Sequence, residues 1–181
     1  MSTENKKVKL ATVWLDGCSG CHMSFLDIDE RIIALAERVD LVYSPLVDIK
    51  KFPEHVDVAL IEGAVASEED REKIRHVRAH TGTLVSLGDC AVTANVPSMR
   101  NSFGLKTVFS RGYFETASLN PQVPTVVVPK LLPKVRPVHE VVDVDVFVPG
   151  CPPSADVIHF VLTELLEGRK PELSSLSRFG A

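Results

Sequence analysis

The fold is decided by the segment VKLATVWLDGCSGCHMSFL, residues 8–26, which passes from an apolar run through a glycine-rich loop into a segment with helical spacing. Residues 8–15 have the length and composition of a buried strand. After the loop, Leu26 and Ile33 fall on one face of a helix, which predicts a helix over residues 23–38. The segment therefore predicts one β-α unit.

Strand-like and helix-like segments alternate along the rest of the chain. Ser67 and Asp70 have capping-box spacing, which predicts a helix running to Ala79, and Ser154 can cap a helix that ends before Gly168. Four short apolar runs predict further strands: residues 39–43, 56–61, 83–87 and 141–148. Strands separated by helices pair in parallel. We therefore expect residues 1–181 to form a single flavodoxin-like, three-layer α/β domain with a mostly parallel sheet.

Two segments do not fit this alternation. Residues 91–124 contain no element that the pattern identifies, and loops of that length usually serve a site or a partner. Pro129, Pro133 and Pro137 recur every four residues, so residues 129–137 are expected to lie extended as a strap.

Composition excludes several classes of protein. The chain has 181 residues, 45% of them hydrophobic, and a net charge of −4, which fits one domain with one core. Its basic residues are scattered, so nucleic acid is not an expected partner. No apolar run reaches the roughly 20 residues of a membrane-spanning helix. Because the first seven residues are polar as well, we expect a cytoplasmic protein without membrane contact.

All four cysteines follow predicted strands. Cys18 and Cys21 follow the first strand, Cys90 the fourth and Cys151 the fifth. Because the carboxyl ends of parallel strands share one edge of a sheet, we expect these cysteines to converge at that edge. Four thiolates suit a 4Fe-4S cluster. Each loop also carries glycines that let backbone amides approach the cluster: Gly17 and Gly20, Gly88, and Gly150.

Other uses of four cysteines remain open. A structural zinc site also takes four cysteines, but usually as two close pairs, and here only Cys18 and Cys21 are paired. The same pair could act as a thioredoxin-like couple, or all four cysteines could be unligated core residues. A flavodoxin-like sheet could also bind a flavin at its edge, although the loop after the first strand lacks a hydroxyl-rich phosphate-binding sequence.

Three motifs carry a family resemblance: WLDGCSGCHMS (14–24), GDC (88–90) and PGCPP (149–153). They resemble the proximal-cluster motifs of nickel-iron hydrogenase small subunits. The segments AVTANVP (91–97) and LLPKVRP (131–137) are most similar to the small subunits of soluble, bidirectional, NAD-linked enzymes.

The resemblance implies one 4Fe-4S cluster, held by Cys18, Cys21, Cys90 and Cys151. It implies that this chain relays electrons between the nickel-iron centre of a separate large subunit and a diaphorase module that carries flavin, further iron-sulphur clusters and NAD(P). No catalytic residue is then expected on this chain. Related subunits also serve in complex I, where electrons reach quinone, but that branch has two adjacent cysteines, unlike Cys18 and Cys21.

The chain departs from the wider family beside its first cysteine. Many relatives have a glutamate there, whereas this sequence has Asp16 followed by glycine, so a proton path at that position is not implied. Glu62 ends the third strand on the same edge as the cysteines and is a candidate proton-path residue. His22, His139 and His159 are given no role, because four cysteines complete the ligand set.

A contact surface is predicted within residues 91–124. Aromatic and basic side chains, a mixture enriched at protein interfaces, occur together there. They are Arg100, Phe103, Lys106, Phe109, Arg111, Tyr113 and Phe114. We expect this surface to dock the large subunit.

Overall fold

The computed structural model describes residues 6–177, which form one five-stranded sheet, one two-stranded sheet and six α-helices. The strands are β1 (Val8–Trp14), β2 (Val39–Tyr43), β3 (Val56–Glu62), β4 (Val65–Ser67), β5 (Thr81–Leu87), β6 (Leu131–Arg136) and β7 (Val146–Val148). The helices are α1 (Gly20–Leu26), α2 (Arg31–Arg38), α3 (Glu68–Ala79), α4 (Asp89–Thr93), α5 (Leu105–Ser110) and α6 (Ala155–Leu166). Within this range no helix is long and apolar enough to cross a membrane.

The main sheet confirms the predicted flavodoxin-like α/β fold. Its strands lie in the order β2-β1-β3-β5-β7, and every neighbouring pair is parallel. Numbered by their sequence among these five, the strands lie in the order 2-1-3-4-5, which is that of flavodoxin. All five carboxyl ends therefore face one edge, and the chain reverses direction across the sheet between β1 and β3.

The central strands are buried on both faces, which produces two hydrophobic layers. Val58 and Leu60 of β3 pack with α1, α2 and α6, whereas Ala59 and Ile61 pack with α3 on the opposite face. Fully burying an aliphatic side chain of this size contributes about 1.5–3 kcal/mol. Helices thus cover both sides of the sheet, as the three-layer prediction requires.

The helix predicted over residues 23–38 is wrong in one respect, because the structure has two helices there, α1 and α2. The chain turns between them at Asp29, whose φ of 55° lies in the left-handed region that aspartate tolerates better than most residues. The turn places Ile28 in the core, where it is 1% exposed. Burial of Ile28 thus favours the break over one continuous helix.

The two predicted helix starts are confirmed. The Ser67 hydroxyl accepts a hydrogen bond from the Asp70 amide (3.0 Å), and the Asp70 carboxylate accepts one from the Ser67 amide (2.9 Å), which completes the capping box of α3. The Ser154 hydroxyl accepts from the Val157 amide at the start of α6 (3.4 Å).

The strand predicted over residues 141–148 is also shorter than expected. Only β7 is extended, and Val138–Glu140 forms a 3-10 turn before it. The Asp145 carboxylate accepts from the Leu84 amide (2.7 Å) and from the Arg78 guanidinium (2.6 Å). A side chain thus takes the place of a strand partner at this point, so the ladder with β5 begins one residue later.

Residues 91–124 contain more regular structure than the sequence pattern identified. Val96–Ser102 forms a 3-10 helix, α5 follows, and Arg111–Glu115 forms a π-helical turn. Residues 129–137 are extended, and their central part forms β6, which pairs antiparallel with β4. The Asn101 side chain binds both backbone groups of Val135 at 2.9 and 2.8 Å, which ties the 3-10 helix to β6.

Candidate metal centre

The structure brings the four cysteines to the carboxyl edge of the main sheet. Cys18 and Cys21 lie in and after the loop that follows β1, Cys90 follows β5, and Cys151 follows β7. All four are free thiols, and the other three cysteines all act electrostatically on Cys21. Thiols separated by up to 133 positions in the sequence (18 to 151) therefore lie at one place in the fold.

The four thiols differ in depth. Cys21 is buried, Cys90 is partly buried, and Cys18 and Cys151 are exposed. Burial raises the pKa of Cys21 well above its usual range, and the nearby Glu62 carboxylate and the other cysteines raise it further. Burial also raises the pKa of Cys90 to about 11, with contributions from Cys18 and Cys151. At neutral pH these two thiols hold their protons until a metal displaces them.

Gly88 leaves space for the Cys21 sulphur. A Cβ atom at Gly88 would lie 2.2 Å from Cys21 Sγ, and the φ of Gly88 is 82°, a conformation that favours glycine. Gly20 has a similar relation to the exposed cysteine, because its amide donates to Cys18 Sγ at 3.4 Å. A side chain at Gly88 would therefore collide with the Cys21 sulphur, whereas one at Gly20 would lie 3.2 Å from Cys18 Sγ and require only a small shift.

The loops after β5 and β7 are bound to each other. The Asp89 amide donates to the Gly150 carbonyl (2.8 Å), and the Asp89 carboxylate accepts from the Gly150 amide (2.7 Å). The Gly88 amide donates to the Val148 carbonyl (2.7 Å). These bonds fix the relative position of Cys90 and Cys151, each of which follows directly after one of the bonded residues.

Glu62 is buried beneath the cysteine loop and not solvated. It is 1% exposed, and its carboxylate accepts from the amides of His22 (3.1 Å) and Cys21 (3.4 Å) and also contacts His22 Nδ1. These amides belong to the first turn of α1, whose N-cap residue, Ser19, makes no side-chain capping bond. Glu62 thus caps α1 from the neighbouring strand.

His22 is the residue that sequence reasoning missed, since no role was given to it. It is 2% exposed, and its Nε2 atom has no hydrogen-bond partner among the described residues. The strand register could have indicated a role for His22. β1 pairs with β3 up to Trp14 and Glu62, which places the end of β3 beneath the loop that carries His22. His139 packs edge-on against Phe147, and His159 lies on α6.

Several of the side chains predicted to form a contact surface are exposed, and one is not. Phe103 and Phe114 are 66% and 51% exposed, and Phe109 and Tyr113 line a cavity of about 550 Å³. Arg100 instead points inward, where its guanidinium donates to the carbonyls of Ala66 and Leu132, both at 3.0 Å. Arg100 therefore anchors the 3-10 helix to β4 and β6.

Among residues 6–177 there is no group of three or more His, Cys, Asp or Glu side chains placed to hold a single metal ion. Four free thiols from three loops, with Gly88 leaving Cys21 Sγ uncovered, fit a 4Fe-4S cluster.

The chain is similar to subunits of known oxidoreductases. The profile of the family described as "NADH ubiquinone oxidoreductase, 20 Kd subunit" matches residues 18–165. The chain is 45% identical over 179 residues to the delta subunit of the NAD-reducing hydrogenase HoxS of Cupriavidus necator, covering 96% of this chain and 86% of that one. It is 37% identical to a subunit of the F420-non-reducing hydrogenase of Methanothermobacter marburgensis, covering 94% of this chain and 57% of that longer one.

A solved structure matches the whole fold. A chain in the crystal structure of an NAD+-reducing [NiFe]-hydrogenase in the H2-reduced state superposes with a TM-score of 0.91 at 41% identity, covering 96% of this chain and 99% of that one. A [NiFeSe]-hydrogenase from Dm. baculatum, 20% identical with a TM-score of 0.60, shares the fold.

The flavodoxin-like sheet and these matches define an α/β subunit of an oxidoreductase. The chain belongs to the NADH ubiquinone oxidoreductase 20 kDa subunit family. Its matches to hydrogenase subunits confirm the resemblance to nickel-iron hydrogenase small subunits of the NAD-linked type.

Proposed function

We propose that Cys18, Cys21, Cys90 and Cys151 hold one 4Fe-4S cluster and that the chain is the electron-transfer subunit of an NAD(P)-linked nickel-iron hydrogenase. The observation that carries the proposal is the convergence of all four free thiols at one sheet edge. The similarity to the HoxS delta subunit, and to a chain of an NAD+-reducing [NiFe]-hydrogenase, supports the enzyme class.

In this proposal, partner subunits carry the reactions at both ends of the electron path. A large subunit carries the nickel-iron centre, and a diaphorase module carries flavin and exchanges electrons with NAD or NADP. When bound, the cluster takes up and releases electrons. Free thiols suit a reducing compartment, so we keep the cytoplasm as the proposed location.

The residues of this chain bind and orient that group. Cys21 and Cys90 provide the less exposed thiolates, whereas Cys18 and Cys151 mark the side nearest the surface. Glu62 fixes the first turn of α1, and Asp89 holds the loops of Cys90 and Cys151 together. Rigid ligand loops keep structural change during electron transfer small.

The docking surface is proposed to receive the large subunit. Phe103 and Phe114 expose large apolar areas, and the cavity beside Phe109 and Tyr113 can accept a side chain of a partner. The 3-10 helix that begins this segment starts six residues after Cys90, so a partner bound there would lie near that cysteine.

The direct test is metal analysis of protein purified anaerobically with its large subunit. Beyond the iron of the nickel-iron centre, we expect iron and acid-labile sulphide in equal amounts, and loss of that iron and of the sulphide in each Cys→Ser variant. Met23→Leu is the control, because Met23 is exposed beside the site and offers no thiolate. Zinc in place of iron and sulphide would contradict the proposal, and a flavin absorption band without iron would favour a flavin-binding module.

A second candidate is a quinone-reducing subunit of the complex I type. The family description favours it, because it names a subunit of NADH ubiquinone oxidoreductase. Hydrogen-dependent reduction of NAD or NADP by the purified complex would support the hydrogenase, whereas NADH-dependent quinone reduction without hydrogenase activity would support the second candidate.

A further inference from the structure

The turn that follows α4 lies against two of the cysteine sulphurs. Asn95 Nδ2 donates to Cys151 Sγ at 3.8 Å. The backbone amide of the next residue, Val96, faces the Cys90 sulphur and acts to lower the pKa of that thiol. Two consecutive residues therefore contact ligands that come from two different strands.

This turn is held on both sides. Ala94 is 1% exposed, has a φ of 63°, and donates its amide to the Cys90 carbonyl at 3.0 Å. The Asn95 carbonyl accepts from the Ser98 hydroxyl (2.8 Å) and from the Ser98 amide (3.2 Å). The backbone that carries the Asn95 side chain is therefore held in place.

Asn95 differs in kind from the other sulphur donors in the described chain. Cys18 Sγ accepts from the backbone amide of Gly20, and the group of Val96 that acts on Cys90 is also a backbone amide, so neither interaction depends on side-chain identity. The bond to Cys151 does depend on side-chain identity, because its donor is the side-chain amide of Asn95. It is the one that a substitution can remove without moving the backbone.

We propose that Asn95 sets the reduction potential of the cluster by donating a hydrogen bond to the Cys151 sulphur. The proposal rests on the proposed function. Reduction places more negative charge on the sulphurs, and an N–H donor stabilises that charge, so the bond raises the potential. Asn95 acts through Cys151 and is a positioning residue, not a catalytic one.

The test uses the full chain purified anaerobically with its large subunit, in the wild-type, Asn95→Ala and Asn95→Asp forms. Asn101→Ala is the matched control. It is the same substitution in the 3-10 helix that begins directly after Asn95, but among the described residues the Asn101 side chain bonds to Val135 in β6 and not to a cysteine. The readouts are the midpoint potential from an EPR-monitored titration, the hyperfine signal of an exchangeable proton, and the melting temperature.

At the wild-type midpoint, we expect the ratio of reduced to oxidised cluster to fall roughly two- to tenfold in Asn95→Ala. A tenfold fall corresponds to 59 mV for a one-electron couple. The ratio should fall further in Asn95→Asp, because a carboxylate cannot donate a hydrogen bond and repels the reduced cluster. The exchangeable-proton signal of the Asn95 side chain should disappear in both, whereas that of the Gly20 amide should remain. Asn101→Ala should lower the melting temperature and leave the potential unchanged.

Three results would overturn the inference. An unchanged potential in Asn95→Ala with full iron content removes the tuning role while the proposed function stands. An equal shift in Asn101→Ala assigns the effect to general loosening. A wild-type protein without iron and sulphide overturns the proposed function and this inference together. If Asn95→Ala loses its cluster, the potential of the isosteric Asn95→Asp variant alone tests the tuning role.

Discussion

Replacing Gly88 with alanine should remove the metal centre while leaving most of the fold intact. The new Cβ atom would lie 2.2 Å from Cys21 Sγ, which is 0.8 Å short of the 3.0 Å that real Cβ contacts keep. Metal-ligand distances tolerate deviations of about 0.2 Å. Cys21 cannot follow freely, because it is buried and its amide is bound to Glu62. Either the sulphur rotates out of the site or the loop shifts, and both movements remove a ligand.

The chain offers a matched control in Gly104. Its φ and ψ are 74° and 155°, close to the 82° and 160° of Gly88, and each glycine is the residue before a helix. No atom lies within 4 Å of a Cβ built on Gly104. Gly104→Ala therefore carries the backbone strain alone, which costs about 1–3 kcal/mol at either position.

The assay measures iron and acid-labile sulphide per chain and the melting temperature of each variant. We expect Gly88→Ala to fall to the metal content of Cys21→Ser, and Gly104→Ala to lose stability but keep its iron. Wild-type iron content in Gly88→Ala would refute the reasoning. Equal loss of iron in both glycine variants would also refute it, because backbone strain would then be the cause.

The other predictions concern Glu62, the capping box and the docking surface. Glu62→Gln should slow hydrogen turnover per cluster, because the amide cannot carry a proton to His22, and should lower the melting temperature, because one of the two oxygens that accept from Cys21 and His22 is lost; unchanged turnover per cluster would count against a proton path. Ser67→Ala should cost about 0.5–2 kcal/mol in urea unfolding, because the Asp70 amide loses its acceptor. Residues 103–114 should be protected from proteolysis by the large subunit, whereas equal cleavage with and without it would argue against docking there.

The parallel sheet and the meeting of the cysteines could be predicted, because both depend on simple patterns. Strands such as β3 are buried on both faces and read as continuous apolar runs. Parallel strands then fix where residues just beyond their ends must lie, so the positions of Cys90 and Cys151 follow from the order of elements and need no side-chain detail.

The elements that sequence reasoning missed depend on contacts between distant segments. The break between α1 and α2 depends on burial of Ile28, and the late start of β7 depends on the bond of Asp145 to β5. The strands β4 and β6 are short, and each is extended because the other is present. No local propensity marks such a pair, since the hydrogen bonds form only in the complete fold.

Each ligand loop is held by a residue from a different loop, and this has a consequence for assembly. Glu62 at the end of β3 fixes the turn of Cys21, and Asp89 joins the loop of Cys90 to Gly150 beside Cys151. None of these bonds is local in sequence, so the four thiols come together only after the parallel sheet has formed. Binding of the proposed cluster would then draw its affinity from the folded sheet and stabilise it in return. Loss of the metal should therefore lower the stability of the whole sheet and not of one loop.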